Sequence, residues 1–329
     1  MKAILIDQPG DADQLYLGEV PDPTPGPTEV LLRTAATSLN RADLLQREGK
    51  YPPPPGLSPI LGLEVAGTVM EVGAEVTAFE VGDNVCALVG GGGYAQLICV
   101  DQEMLLRLPE RLSFTKAAAI PEAFLTAFQA LHWIAGLRAG ERVLIHAGAS
   151  GVGTAALQLV RLAGATPLVT ASAGKHERLA ELGAARCIDY VSENFAEAVL
   201  DETDGHGADV VLDFVGGPYL ADNFACLATD GRMVSLAALG GARTPEPFSM
   251  APVLRKRLQL TGTTLRSRPA EYKRLLTQHF AADCWAAFAD GRLAPVVDTI
   301  YDWEEVAAAH RYMASNANVG KIVLTIGVD

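Results

Sequence analysis

The stretch Val143-Leu144-Ile145-His146-Ala147-Gly148-Ala149-Ser150-Gly151-Val152-Gly153 decides the fold. Its apolar start reads as a strand buried on both faces, its glycines as a tight turn, and Thr154 to Ala163, stopped by Gly164, as a helix. Strand, glycine turn and helix in that order form the context of a dinucleotide-binding fingerprint. Glycines allow positive φ and let a pyrophosphate approach the backbone. The helix amino terminus adds unpaired N–H groups and partial positive charge. Ser150 stands where the usual pattern has its second glycine. Val143 to Val160 carries no formal charge and is long enough to suggest a membrane span, but its clustered glycines and polar residues fit a strand, turn and buried helix better.

Working outward, further strands are expected at Thr166 to Ala171, Arg186 to Asp189, Ala208 to Phe214 and Arg232 to Leu236. Helices lie between them at His176 to Leu182, stopped by Gly183, and at Pro218 to Ala228. Alternation of this kind predicts a parallel βαβ sheet. Helical periodicity begins upstream, at Lys116 to Ile120 and Phe124 to His132. The first third is β-rich and irregular, with strands at Met1 to Asp7, Val30 to Thr34 and Gly67 to Val72. Pro21, Pro23, Pro25, Pro27 and the run Pro52 to Pro55 mark loops. After Leu258 to Thr263 the chain turns helical and ends on a strand, Lys321 to Thr325. The expected domains are residues 1–120 with 265–329, and 121–264; 329 residues suit two domains.

A net charge of −13 argues against nucleic acid and anionic membranes as partners. The densest basic cluster, Arg255-Lys256-Arg257, is short enough to be a solvated helix end. Five scattered cysteines, Cys86, Cys99, Cys187, Cys226 and Cys284, show no zinc-clamping spacing and suggest free thiols in a reducing compartment. The amino terminus reads as a strand rather than a signal peptide, so a cytoplasmic location is expected.

Enzymes using NAD place an acidic residue about 20 residues beyond the glycine turn, on the ribose hydroxyls. Here Ser172 stands there, followed by Ala173, Gly174 and Lys175. Lys175 and Arg178 fall where a helix dipole disfavours cations. A 2′-phosphate would account for them and points to NADPH; exposed helix charges are the plainer alternative. Tyr190 either flanks the same phosphate or packs.

Three further stretches carry a resemblance. These are Gly62-Leu63-Glu64-Val65-Ala66-Gly67-Thr68-Val69 with Val81-Gly82-Asp83-Asn84-Val85, Asn40 to Arg47 with Gly49, Tyr51 and four prolines, and Asn318 to Val323. Together with the glycine turn, they resemble the medium-chain dehydrogenase/reductase superfamily, in particular its zinc-independent quinone oxidoreductase branch, p53-inducible subgroup. The resemblance implies an α/β protein with a GroES-like β-rich domain and a Rossmann doubly wound parallel-sheet domain. It implies Asn40, Asp43 and Tyr51 beside the nicotinamide. It also implies cofactor contacts at Thr126, at Gly148, Ser150, Gly151, Val152 and Gly153, at Leu239-Gly240-Gly241 and at Asn318. Tyr51 either hydrogen-bonds the substrate or plugs its loop; Thr263 to Arg266 either face the cleft or form a polar domain junction.

Zinc alcohol dehydrogenases of the superfamily have cysteine at the position of Asn40, histidine at that of Leu63, and a four-cysteine lobe. This chain has none of these, so no metal is expected. Glu64 and Asp83 read as structural carboxylates. Reduction of a quinone-like acceptor by NADPH is the expected activity. The alternatives are a zinc-free enone or enoyl-thioester reductase and a non-catalytic NADPH-binding sensor. A homodimer is implied by the resemblance alone.

Overall fold

A computed structural model describes residues 1–327. The chain forms two compact units: Met1–Leu125 together with the segment from Arg266 onward, and Thr126–Leu265. The first unit opens with an antiparallel pair, β1 (Lys2–Ile6) and β2 (Leu15–Glu19). Then come β3 (Glu29–Ser38), the helix α1 (Arg41–Arg47), β4 (Glu64–Val72), β5 (Asn84–Leu88), β6 (Leu97–Asp101) and β7 (Leu105–Arg107). β4 starts three residues earlier than the apolar pattern suggests, because its first residue is the fully buried Glu64, whose charge is matched from a distant part of the chain. Inward residues of these strands, among them Val30, Leu32, Val65, Val69, Val85 and Ala87, close one core.

Two helices follow, α2 (Phe114–Ala117), capped by the Ser113 hydroxyl, and α3 (Pro121–Phe128). The helix expected to run to His132 closes at Phe128. It goes on as a π-helical turn, with the Ala135 N–H reaching the Ala130 carbonyl.

The second unit contains β8 (Arg142–Ile145), α4 (Gly151–Leu162), β9 (Thr166–Ala171), α5 (His176–Glu181), β10 (Arg186–Asp189), α6 (Phe195–Glu202), β11 (Ala208–Asp213), α7 (Leu220–Cys226), β12 (Leu227–Ser235), α8 (Ala251–Arg255) and β13 (Gln259–Gly262). The strands are all parallel, in the order β10-β9-β8-β11-β12-β13. This is the doubly wound Rossmann order, in which the chain leaves the sheet centre first toward one edge and then toward the other. β12 begins five residues before the expected Arg232. Thr229-Asp230-Gly231, between the expected helix and strand, is absorbed as a bulge, with Asp230 at φ 64°. The basic cluster is the end of α8, with Arg255 and Arg257 exposed as expected and Lys256 turned back onto the chain. The Lys256 ammonium donates to the carbonyls of Phe224, Ala225 and Leu227 where α7 ends, and Arg257 pairs with Asp230.

The chain then returns to the first unit through α9 (Ala270–Asp290), β14 (Val297–Asp302), α10 (Val306–Ala314) and β15 (Lys321–Thr325). The completed sheet runs β14-β15-β3-β4-β5-β7, with β6 also pairing β3. β15 lies antiparallel to β3, which brings Lys321 to the end of β3 and the start of β4.

Candidate active site

The glycine turn leaves β8 from a fixed point. His146 is fully buried, with Nδ1 3.0 Å from the Thr170 hydroxyl and Nε2 2.7 Å from Asn223 Oδ1. Burial pushes its pKa down to about 4, so it is neutral. Positive φ falls on Ala147 (48°) rather than on Gly148 or Gly153. Those two glycines serve close approach instead. A Cβ on Gly148 would lie 2.6 Å from the Val169 side chain, and one on Gly153 2.5 Å from the Ala147 carbonyl oxygen. Ser150 takes over the second glycine position as the cap of α4, its hydroxyl accepting from the Gly153 N–H at 3.0 Å. Gly151, Val152 and Gly153 form the first turn of that helix.

The other expected cofactor residues of this unit also follow carboxyl ends of parallel strands. Ser172 and Lys175 come after β9, Tyr190 after β10, and Leu239-Gly240-Gly241 after β12, where backbone hydrogen bonds tie the loop to Phe214, Val215 and Gly217. All therefore stand on one side of the sheet, where doubly wound folds bind ligands. Lys175 is half-buried just before α5, and the exposed Arg178 pairs with Glu181 at 2.7 Å. Tyr190 is 49% exposed. The Thr126 hydroxyl is buried without a hydrogen-bond partner, as a polar group awaiting a ligand would be. Asn318 belongs to the other unit, where its amide donates to the Gly320 carbonyl.

In the first unit the polar residues converge on Glu64. One oxygen accepts from the Ser38 hydroxyl at 2.5 Å, the Asn40 amide at 2.9 Å and the Lys321 ammonium at 2.7 Å; the other accepts from the Glu122 backbone N–H at 2.8 Å. Lys321 also bonds Asn40 Oδ1 at 2.7 Å and the Leu39 carbonyl at 2.8 Å. Asn40 is thus saturated on both sides of its amide. Asp43 clamps the start of α1, accepting from the Asn40 N–H at 2.7 Å and the Gly62 N–H at 3.0 Å. Burial pushes its pKa up to about 6 against those hydrogen bonds. Tyr51 is half-buried, its ring centroid 5.6 Å from the Arg266 guanidinium carbon, and its hydroxyl makes no hydrogen bond among the described residues. Glu122 sits near the start of α3, with its pKa pushed up to about 8, first by burial and then by the Glu64 carboxylate.

The three residues expected at catalysis therefore share one polar cluster. The chain's contribution beyond them, Lys321, Glu122 and Lys273, whose ammonium donates to the Arg266 carbonyl at 3.3 Å, carries no local signal in the sequence. Each is an ordinary charge in a helix or strand until β15, α3 and α9 are placed. Leu63, at the position of the zinc enzymes' histidine, is a core residue, 2% exposed. Among the described residues no group of three or more His, Cys, Asp or Glu is arranged to hold a metal, and the five cysteines are free thiols.

Comparison with known proteins agrees with this architecture. Residues 26–110 match the alcohol dehydrogenase GroES-like domain and residues 182–324 the family described as zinc-binding dehydrogenase. A phenolphthiocerol/phthiocerol polyketide synthase of Mycobacterium tuberculosis is 36% identical over 98% of this chain, which spans only 14% of that protein. The synaptic vesicle membrane protein VAT-1 homolog of Rattus norvegicus is 32% identical over the whole chain and 85% of its own length. Among solved structures, the CurK enoyl reductase superposes with a TM-score of 0.88 at 30% identity, covering 99% of both chains. A quinone oxidoreductase of Pseudomonas syringae pv. Tomato gives 0.86 at 30%, covering 98% of this chain and 99% of its own. A mycobacterial protein complexed with NADPH gives 0.86 at 28%, covering 99% and 100%. The fold is a GroES-like domain with a doubly wound Rossmann sheet. The chain belongs to the medium-chain dehydrogenase/reductase superfamily.

Proposed function

We propose that the protein reduces quinone-like acceptors with NADPH and without zinc. The saturated amide of Asn40 carries this reading. With Glu64 and Lys321 on either side of it and Leu63 in the core, the site offers hydrogen bonds and positive charge but no thiolate or imidazole for a metal. Without ligands for a metal, nothing there would lower the proton affinity of an alcohol as strongly as a bound zinc, whereas an electron-poor quinone needs only hydride and a proton. Bound NADPH supplies the hydride. The free N–H groups in the first turn of α4, at Gly151 and Val152, would hold its pyrophosphate, Lys175 would meet its 2′-phosphate, and Tyr51 would orient the acceptor by a hydrogen bond. Asn40 and Asp43 hold the loop and helix from which Tyr51 extends.

A survey of acceptors with purified protein, following NADPH loss optically, tests the proposal: quinones should turn over and simple alcohols should not with NADP. Reduction of a conjugated carbon–carbon double bond is the second reading, favoured by the likeness to the CurK enoyl reductase. Turnover of enoyl substrates but of no quinone would replace the first reading with the second. Binding of NADPH with no turnover of either would favour a sensor. We further propose a cytoplasmic homodimer. The edge strand β13 supports the dimer: all four of its residues are exposed, Leu260 by 53%, leaving its outer backbone groups open to a second copy. No helix among the described residues is long and apolar enough to cross a membrane.

A further inference from the structure

Arg266 is 5% exposed, and its Nε donates to the Gly90 carbonyl at 2.9 Å. Both terminal guanidinium nitrogens, however, are buried without a hydrogen-bond partner among the described residues. Buried donors left unmade cost free energy, and a buried cation more so, unless an acceptor completes them. The fork is therefore built for an oxygen that the chain does not supply. Asp43 and Glu122 interact with this guanidinium electrostatically, yet neither hydrogen-bonds it, and Tyr51 lies 5.6 Å away. The Glu122 carboxyl likewise makes no hydrogen bond among the described residues; only its backbone N–H is committed, to Glu64.

We propose that Arg266 and Glu122 form the oxyanion and proton site of the reduction, Arg266 holding the acceptor's carbonyl oxygen and Glu122 protonating it. The inference rests on the acceptor-reduction reading above. In that step the acceptor would take hydride from the broken C4–H bond of NADPH, left as NADP⁺, to form O–H at its far carbonyl; the ring π electrons would shift so that the near carbonyl's π pair moves onto its oxygen. The Arg266 fork stabilises the resulting negative charge. The proton then passes from the Glu122 carboxyl to that oxygen, forming O–H and leaving a carboxylate. Water restores the proton, Glu122 being only partly buried.

The surroundings of Glu122 suit a proton donor. Glu64 on β4 and Asp43 on α1 oppose its ionisation, while Lys321 on β15, Arg266 and Lys273 on α9 favour it; Tyr51 stands beside it. Burial decides the balance, so the group is an acid at neutral pH, its pKa about 8. Donors poised near the working pH are the effective ones.

Two measurements test the assignment. The first is kcat against pH for wild type, Glu122→Gln and Glu122→Asp with NADPH and a quinone. Wild type should lose rate above about pH 8, Glu122→Gln should fall by about 100-fold and lose that limb, and Glu122→Asp should recover part of both. The second is equilibrium binding of 4-nitrophenolate, a stable oxyanion, to wild type and Arg266→Gln, with NADPH titration and thermal melts as controls. Arg266→Gln should weaken the phenolate by about tenfold or more, as loss of a charge-assisted pair does, and leave NADPH affinity unchanged. A Glu122→Gln enzyme with wild-type kcat and the same alkaline limb would remove Glu122 from the step. Phenolate binding indifferent to Arg266→Gln would remove the oxyanion site. A wild type that turns over no acceptor but binds phenolate through Arg266 would sink the quinone reading while upholding the oxyanion site.

Discussion

The glycine turn of the second unit and the polar cluster of the first are built in opposite ways. The turn is a contiguous run of residues that works through its backbone: close approach at Gly148 and Gly153, and helix N–H groups at Gly151 and Val152. The cluster draws side chains from Ser38, Asn40, Glu64 and Lys321, nearly the whole length of the chain, into hydrogen-bond distance. A site of the first kind survives as long as its local sequence does. One of the second kind depends on the fold to hold its charges in balance.

The contrast is sharpest in stability. Lys321→Met leaves Glu64 buried and unpaired, and should cost about 3–5 kcal/mol in chemical denaturation; Glu64→Gln added to it should recover part of that loss. A cost below about 1 kcal/mol, the range of exposed pairs, would break the comparison, because the cluster would then be no more interdependent than surface charges. The same cluster sets a pH dependence. Burial raises Asp43 to about 6 and Glu122 to about 8, both above their ordinary values, so their protonated forms are favoured in the fold. Stability is therefore fully present at acid pH and declines as pH rises through those two values. The melting temperature should fall from about pH 4, the ordinary carboxylate range, to about pH 8 and level off above it, and Glu122→Gln should flatten the upper part of that fall.

Gly153→Ala should cost about 1–3 kcal/mol by overpacking, its Cβ meeting backbone rather than a movable side chain, and should weaken NADPH. Isothermal titration on a variant that still folds would separate the two effects. Lys175→Ala should weaken NADPH by about tenfold, roughly 1.4 kcal/mol, and NADH hardly at all; an equal loss for both would mean that Lys175 does not meet a 2′-phosphate. Arg178→Ala, breaking only the exposed pair with Glu181, should change stability by less than about 0.5 kcal/mol and leave both cofactors unaffected.

Legibility in the sequence follows the same division. The parallel sheet could be read because its central strands are buried apolar runs and α4 and α5 each stop at a glycine; Gly164 and Gly183 both adopt the positive φ that such ends require. Where a local signal misled, a tertiary contact was the cause. Thr229-Asp230-Gly231 makes a bulge within β12, ahead of the expected Arg232, with the Asp230 N–H bound to the Lys256 carbonyl and its side chain held by Arg257. Glu64 begins a strand that its charge seemed to forbid because Lys321 arrives from β15.

The sequence by itself determined the doubly wound sheet, the turn that suits a pyrophosphate, and the residue types at positions 40 and 63, since all of these are written in neighbouring residues or in side-chain chemistry. Only the tertiary structure decided that Asn40 is spent on Glu64 and Lys321, that Asp43 clamps a helix start, and that Arg266 keeps two buried donors open. The first turns on the return of the chain through β15, which brings Lys321 to Asn40 and Glu64, the second on a helix cap completed by the Gly62 N–H, and the third on burial of the guanidinium. Until the fold places them, each is a polar side chain whose partners the sequence does not name.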